Sequence, residues 1–336
     1  MLRTWIAALI LAVGVLAFLL CRRERAPGPA ADGPYGVTTS GLAMDAAFPA
    51  TQTLKPRIEL WYPAEPAFPD RLSNAQARWP LLLYFPGWPG AEIQNRLLLR
   101  HLVSRGFMVA AVSYPAAVST LPALDFGSAA GIERSLPVFD RRVREAASDA
   151  ARILDELGRL DALDQGWLSH RLDLAHDGIL GFSWGGAVAV RAYWTDARLG
   201  SAVVLDEDRW LDVPQRPDRC RVLLLSDEPA ADYENADADG RNLLRQLRSY
   251  GGTWLTLPGA VHEDFSDAVL TPPLRRRLFS RISPPRKLNI VETYVAEYLG
   301  AGLRGSSAAT VPDPRRLFPE VKVTEFHGDT GCPAGR

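Results

Sequence analysis

The chain has 336 residues, 47% hydrophobic and 23% charged, with a formal net charge of -1. That is globular composition, long enough for one large domain with a substantial core. Near-zero charge, with basic residues grouped only after the N-terminal apolar run and at Arg275 to Arg277, argues against nucleic acid as a partner. Three cysteines, Cys21, Cys220 and Cys332, show neither metal-ligand spacing nor an even-numbered framework, and nothing in the pattern supports a Cys220–Cys332 bond. The five histidines are scattered, so no metal site is expected.

Trp5 to Leu20 is an unbroken apolar run of 16 residues, followed by Cys21-Arg22-Arg23-Glu24-Arg25. Such a run is marginal for a bilayer but workable when flanking arginines snorkel. Leu19 and Leu20 occupy positions where signal cleavage wants small residues, which also weakens a lipidated Cys21. Residues 1–21 are therefore expected to be an uncleaved membrane anchor, with the following arginines favouring the cytoplasmic side. Secretion or periplasmic release after cleavage is the alternative. Residues 22–34, ending in A-P-G-P-A-A-D-G-P, read as a linker too rich in proline and glycine to pack.

The main domain is expected over 35–300. Arg57 to Tyr62 alternates and reads as a strand ending at Pro63. Trp79 to Phe85 is continuously apolar, the mark of a strand buried on both faces, and runs into P-G-W-P-G. Glu92 to Arg105 reads as a helix capped by Gly106, and Phe107 to Val112 as the next buried strand. Pro115 to Asp140 is long for a plain connection and reads as a lid or substrate wall. Arg141 to Leu160 is periodic like a helix. Ile179-Leu180 leads into G-F-S-W-G-G, Gly181 to Gly186, with a helix from Ala187 to Trp194. Ser201 to Leu205, Arg221 to Leu225 and Gly252 to Leu257 are further strands, and Leu288 to Leu299 a closing helix. Leu274, Leu278 and Phe279 around the arginine cluster read as a solvated amphipathic helix, with contact to a lipid surface as the sharper alternative. Residues 301–336 read as a tail with one ordered piece, Glu320 to Phe326. Strands alternating with helices predict an α/β fold, a mostly parallel sheet with helices on both faces. Chemistry then gathers at the carboxyl ends of the strands.

G-F-S-W-G-G is the sequence form of a nucleophile elbow. A strand turning at once into a helix forces strained backbone on the central serine, and glycines must flank it where a Cβ would strike backbone. Ser183 is thus the expected nucleophile. Its hydroxyl needs a base, and the base an acid to orient it. His262 is the histidine placed late, beyond a strand and in a loop. Two aspartates end strands between Ser183 and His262: Asp206 after S-A-V-V-L and Asp227 after R-V-L-L-L-S. The oxyanion requires preorganised N–H groups. One should come from Trp184, after the nucleophile. The other should come from P-G-W-P-G, where the prolines have no N–H and Trp88 is the expected donor.

These segments resemble the α/β-hydrolase superfamily, and within it the platelet-activating factor acetylhydrolase-like esterases, over about Tyr35 to Gly300. The elbow is similar to that family's G-H-S-F-G-G. Ala202 to Asp206 resembles its apolar strand ending in leucine-aspartate, and Gly259 to Asp267 its G-x-x-H-x-x-F-x-D block. The resemblance implies Ser183 as nucleophile, Asp206 as acid and His262 as base, with Asp227 the alternative acid that ordinary superfamily topology would favour. The chain departs from the family at Pro86-Gly87, where histidine-glycine is usual, and at Phe182, which replaces the elbow histidine.

The expected activity is hydrolysis of short-acyl or lipid-like carboxylic esters through an acyl-serine. No metal or organic cofactor is needed, and no obligate protein partner is evident. The expected partners are a small-molecule or lipid ester and, through residues 1–21, a membrane. A serine peptidase or acyltransferase on the same fold is one alternative. A membrane-tethered binding protein with an inactive triad is the other.

Overall fold

The computed structural model describes residues 33–44, 47–65, 67–207, 221–227, 238–273, 280–303 and 317–328. The expected anchor, most of the linker, the arginine cluster with its flanking leucines and phenylalanine, and both Cys220 and Cys332 lie outside the described residues. Among the described residues no helix is long and apolar enough to cross a membrane.

Ten strands form one sheet: β1 (Gly36–Leu42), β2 (Arg57–Glu65), β3 (Phe68–Leu72), β4 (Trp79–Phe85), β5 (Met108–Ser113), β6 (Leu172–Phe182), β7 (Leu199–Leu205), β8 (Val222–Ser226), β9 (Gly252–Thr256) and β10 (Lys322–Phe326). The order is β1-β2-β5-β4-β6-β7-β8-β9-β10, with β3 paired to β2. The run from β5 through β9 is parallel, and the outer pairs β1–β2, β2–β5 and β9–β10 are antiparallel. The sheet centre is therefore where the apolar runs lie: every residue of β4 and of β5 is buried. Among the described residues six α-helices accompany it: α1 (Arg96–Ser104), α2 (Ala117–Thr120), α3 (Ala129–Asp161), α4 (Trp184–Thr195), α5 (Ala238–Tyr250) and α6 (Pro284–Leu303). One apolar cluster joins inner faces of α3 and α4 to the sheet, and a second joins α1 and α6 to its other face.

Several boundaries differ from the sequence expectations for definite reasons. β2 runs through Pro63 to Glu65, because its pairing with β5 ends at Trp61 and the missing proline N–H breaks no bond on that side. The helix expected from Glu92 begins at Arg96, where the Asp267 carboxylate accepts the Arg96 and Leu97 N–H groups at 2.7 and 3.2 Å. This cap is supplied from far along the chain. α3 starts at Ala129 rather than Arg141: Ser128 Oγ accepts the Gly131 N–H, and Pro137 sits on an exposed turn of the helix. A proline there gives up one hydrogen bond on the wet face, which the long buried face outweighs. The ordered piece of the tail is β10, an edge strand on β9 in register Lys322 to Thr256.

Candidate active site

The elbow is built as its residue types require. β6 ends at Phe182, α4 begins at Trp184, and Ser183 between them holds φ 53 and ψ -130. Gly181 and Gly185 are obligatory by contact: a Cβ on Gly181 would lie 1.9 Å from the Gly185 carbonyl oxygen, and one on Gly185 2.1 Å from that of Phe85. Ser183 N–H donates to Leu205 O at 2.8 Å, which ties the bend to the end of β7. Because Ser183 precedes α4, the first N–H groups of that helix have no intrahelical acceptor and face the space beside the hydroxyl.

Asp206 follows β7 and also takes positive φ, 56°. Its Oδ2 lies 2.6 Å from His262 Nδ1, and its Oδ1 accepts the Asp227 N–H at 3.2 Å. Of the two candidate acids, then, Asp206 meets the imidazole, while Asp227 supports Asp206 through its backbone. Burial disfavours the imidazolium, but the hydrogen bond and charge of Asp206, with Glu207 and Glu263, outweigh it and hold His262 above the ordinary 6.5. The Phe182 ring stacks on the imidazole at 4.8 Å and 29°, so the residue that departs from the family's elbow packs against the expected base.

His262 opens a 3-10 turn, His262–Phe265, held on three sides. Asp264 Oδ2 accepts the Val261 N–H at 3.1 Å and pairs with Lys287 Nζ at 2.5 Å, both side chains buried. Asn95, buried, donates from Nδ2 to Phe265 O at 2.7 Å while its Oδ1 accepts from Tyr84 OH. Asp267 N–H donates to Gln94 O at 2.8 Å. Gln94, Asn95 and Lys287 were not among the residues expected from sequence. Their only local signal is a polar pair at the start of a helix otherwise facing the core.

The turn after β4 supplies the other side. Gly87 N–H donates to Gln94 Oε1 at 2.7 Å, and Gly90 N–H to Gly87 O at 2.7 Å. Among the described residues this leaves the Trp88 N–H, the donor expected from the sequence, as the turn's unengaged donor. The Trp88 indole donates to Pro122 O at 3.2 Å and meets the Trp184 ring edge-on at 5.9 Å. Tyr114 fastens this turn from below, its N–H on Gly90 O at 2.7 Å and its OH on buried Asp149 at 2.9 Å.

Ser183, Asp206, His262, Trp88, Trp184 and Asp227 all border one cavity of about 820 Å³. Leu124, Phe126 and Phe139 form an apolar wall, so the 115–140 segment, part loop and part α3, does face the cavity. Glu92, Glu207, Glu263 and Asp267 also line the cavity.

No protein-family model and no curated protein matches the sequence. Among solved structures, the chain is similar to a ferulic acid esterase from Streptomyces cinnamoneus, with 21% identity and a TM-score of 0.64 over 88% of this chain and 98% of that one. This likeness, with the parallel sheet and helices described above, shows the α/β-hydrolase fold.

Proposed function

We propose that the protein is a carboxylic ester hydrolase working through an acyl-Ser183 intermediate. The observation that carries this reading is the convergence of a strained, half-buried serine and an aspartate-bound histidine on one cavity. His262 takes the Ser183 proton as the hydroxyl attacks the ester carbonyl. Asp206 orients the ring and stabilises the imidazolium. The Trp184 and Trp88 N–H groups receive the oxyanion. The imidazolium then gives its proton to the departing alcohol, and water repeats the sequence on the acyl-enzyme. No step calls for a metal or organic cofactor.

A cavity of about 820 Å³ exceeds what an acetyl group needs and suits a drug-sized ligand. We therefore read the substrate as an ester with a bulky apolar or aromatic part laid against Trp88, Phe126, Phe139 and Trp184. The structural neighbour's own substrate class, an aromatic acyl ester by its name, supports the same choice. A lipid-like ester fits the same wall. The carboxylates of Glu92, Glu207, Glu263 and Asp267 in the lining disfavour anionic substrates.

The test is labelling by a fluorophosphonate together with hydrolysis of p-nitrophenyl acetate, butyrate and cinnamate. Ser183→Ala is expected to lose both labelling and turnover, and the cinnamate is expected to have the highest kcat/KM. A folded wild-type protein that takes no label ends the enzyme reading and leaves the inactive binding protein. Turnover of anilides at rates near those of esters would favour a peptidase.

A further inference from the structure

We infer that Gln94 is a positioning residue for the oxyanion turn, joining it to the loop of the catalytic histidine. The inference rests on the acyl-serine reading above. Its basis is the way one residue is used at both ends, through its side chain at one and its backbone carbonyl at the other. Gln94 Oε1 accepts the Gly87 N–H at 2.7 Å, and Gln94 O accepts the Asp267 N–H at 2.8 Å. The first bond sits one residue before the Trp88 donor. The second closes the segment that carries His262.

The chemistry of the turn makes the carboxamide oxygen decisive. P-G-W-P-G offers three N–H groups, and an N–H aimed at the carbonyl in place of Trp88's would point the wrong dipole at the reacting atom. Engaging Gly87 N–H with Gln94, and Gly90 N–H with Gly87 O, removes the two competitors. Because an N–H donor requires an oxygen opposite it, the amide orientation is set by the contact, and the Gln94 NH₂ group must point elsewhere. Space enforces the same arrangement. A Cβ on Gly87 would fall 2.9 Å from Gln94 Oε1 and 3.1 Å from the Phe182 ring, so the turn packs directly on the carboxamide and on the ring that covers His262. Gln94 N–H is itself within 3.4 Å of Tyr84 OH, and Tyr84 is wholly buried in β4. The carboxamide therefore stands on a rigid base, as a preorganised donor site demands.

Loss of this oxygen is expected to loosen the donor in the tetrahedral state without weakening ground-state binding, since Phe126, Phe139 and Trp184 of the apolar wall do not depend on Gln94 and the Trp88 indole is held separately by Pro122 O. In Gln94→Met, which keeps length and apolar volume, kcat is expected to fall about 30-fold, below the 10²- to 10³-fold of deleting an oxyanion donor outright. KM should stay within about twofold, and affinity for phenylboronic acid, whose serine adduct is tetrahedral, should fall with kcat. The pH midpoint of kcat/KM should not move, because Asp206 still holds His262. Unchanged kcat, or a fall shared with KM while boronate affinity is kept, overturns the inference.

Gly87→Ala attacks the same contact from the other side and serves if the methionine variant does not fold. It should give the same pattern, and retained kcat and boronate affinity there overturn the inference equally. If both fold, the double variant should be little worse than either alone. Ser183→Ala run alongside separates the two readings. If it still turns over, the acyl-serine reading fails. If it is dead while Gln94→Met and Gly87→Ala are active, only the role of Gln94 fails.

Discussion

Asp177 gives the sharpest stability prediction, and it lies away from the chemistry. It sits on β6 where the pairing with β7 is irregular, 1% exposed, with Oδ1 lacking a hydrogen-bond partner. Burial raises its pKa from 3.8 to about 8; Arg198 opposes this, while Asp173 and Asp196 add to it. The folded state thus holds a proton that the unfolded chain releases near pH 4. With more protons bound in the fold, stability must fall as pH rises through that window and level off above about 8. Each pH unit crossed costs about 1.4 kcal/mol, so the loss approaches about 5 kcal/mol by pH 8 as a ceiling that local relaxation lowers. Asp177→Asn removes the titration but buries amide hydrogens, at about 1–3 kcal/mol. The variant should be no more stable than the wild type at pH 5 and about 2 kcal/mol more stable at pH 8, by urea denaturation. Taking the difference at each pH cancels the other titrating groups. Ester turnover should be unchanged, because Asp177 lies about 20 Å along the strand from Ser183. Parallel stability curves for the two proteins across pH 5–8 would refute the reasoning.

Four further outcomes follow from the structure. In Asp206→Asn, kcat for a p-nitrophenyl ester should drop about 10⁴-fold, and Asp227→Asn, which keeps its backbone N–H on Asp206, should lose less than tenfold. The wild-type kcat/KM should rise with pH through a midpoint above 6.5, where His262 loses its proton, and any residual activity of Asp206→Asn should show that midpoint at lower pH, since only Glu207 and Glu263 then oppose burial. Lys287→Met strands the Asp264 carboxylate in a buried site and should cost about 3–5 kcal/mol by denaturation, with much of the His262 loop order lost. Gly300→Ala, in α6 with nothing within 4 Å of the added methyl, should stabilise by about 1 kcal/mol in the same assay.

What could be read from the sequence was local. The elbow is legible because half of its constraint is closed within six residues: Gly181 is required by the Gly185 backbone, while Gly185 is required by that of Phe85 at the end of β4. The buried parallel strands are legible because burial on both faces leaves an apolar run, as in Trp79–Phe85. The start of α1 was not legible, since Asp267 caps it from about 170 residues away. β10 was legible only as an ordered piece within Glu320 to Phe326; its place as an edge strand was not, because nothing local says that β9 lies beside it. The pairing of Asp206 with His262 spans 56 residues. Residue order narrowed the acid to two strand ends, and the resemblance to a family chose between them; helical or strand periodicity had no bearing on it.

The same distinction explains why the supporting residues of the site were missed while the three side chains proposed to react were named from the sequence. Nucleophile, acid and base are chemically rare types at strand ends, so their identity carries information. Gln94, Asn95, Tyr84 and Lys287 are ordinary types whose role depends wholly on where a distant loop returns. They nonetheless decide whether the rare residues meet. The His262 loop has few backbone bonds of its own, and its place comes from Asn95 on Phe265, Gln94 on Asp267 and Lys287 on Asp264. Two of these three anchors lie in the short segment between the oxyanion turn and α1. A shift of that segment would displace base and oxyanion donor together, keeping their relation to each other while moving both against Ser183. Substitutions there should therefore couple strongly with one another and weakly with substitutions at Asp206, which reaches His262 from β7 by an independent route.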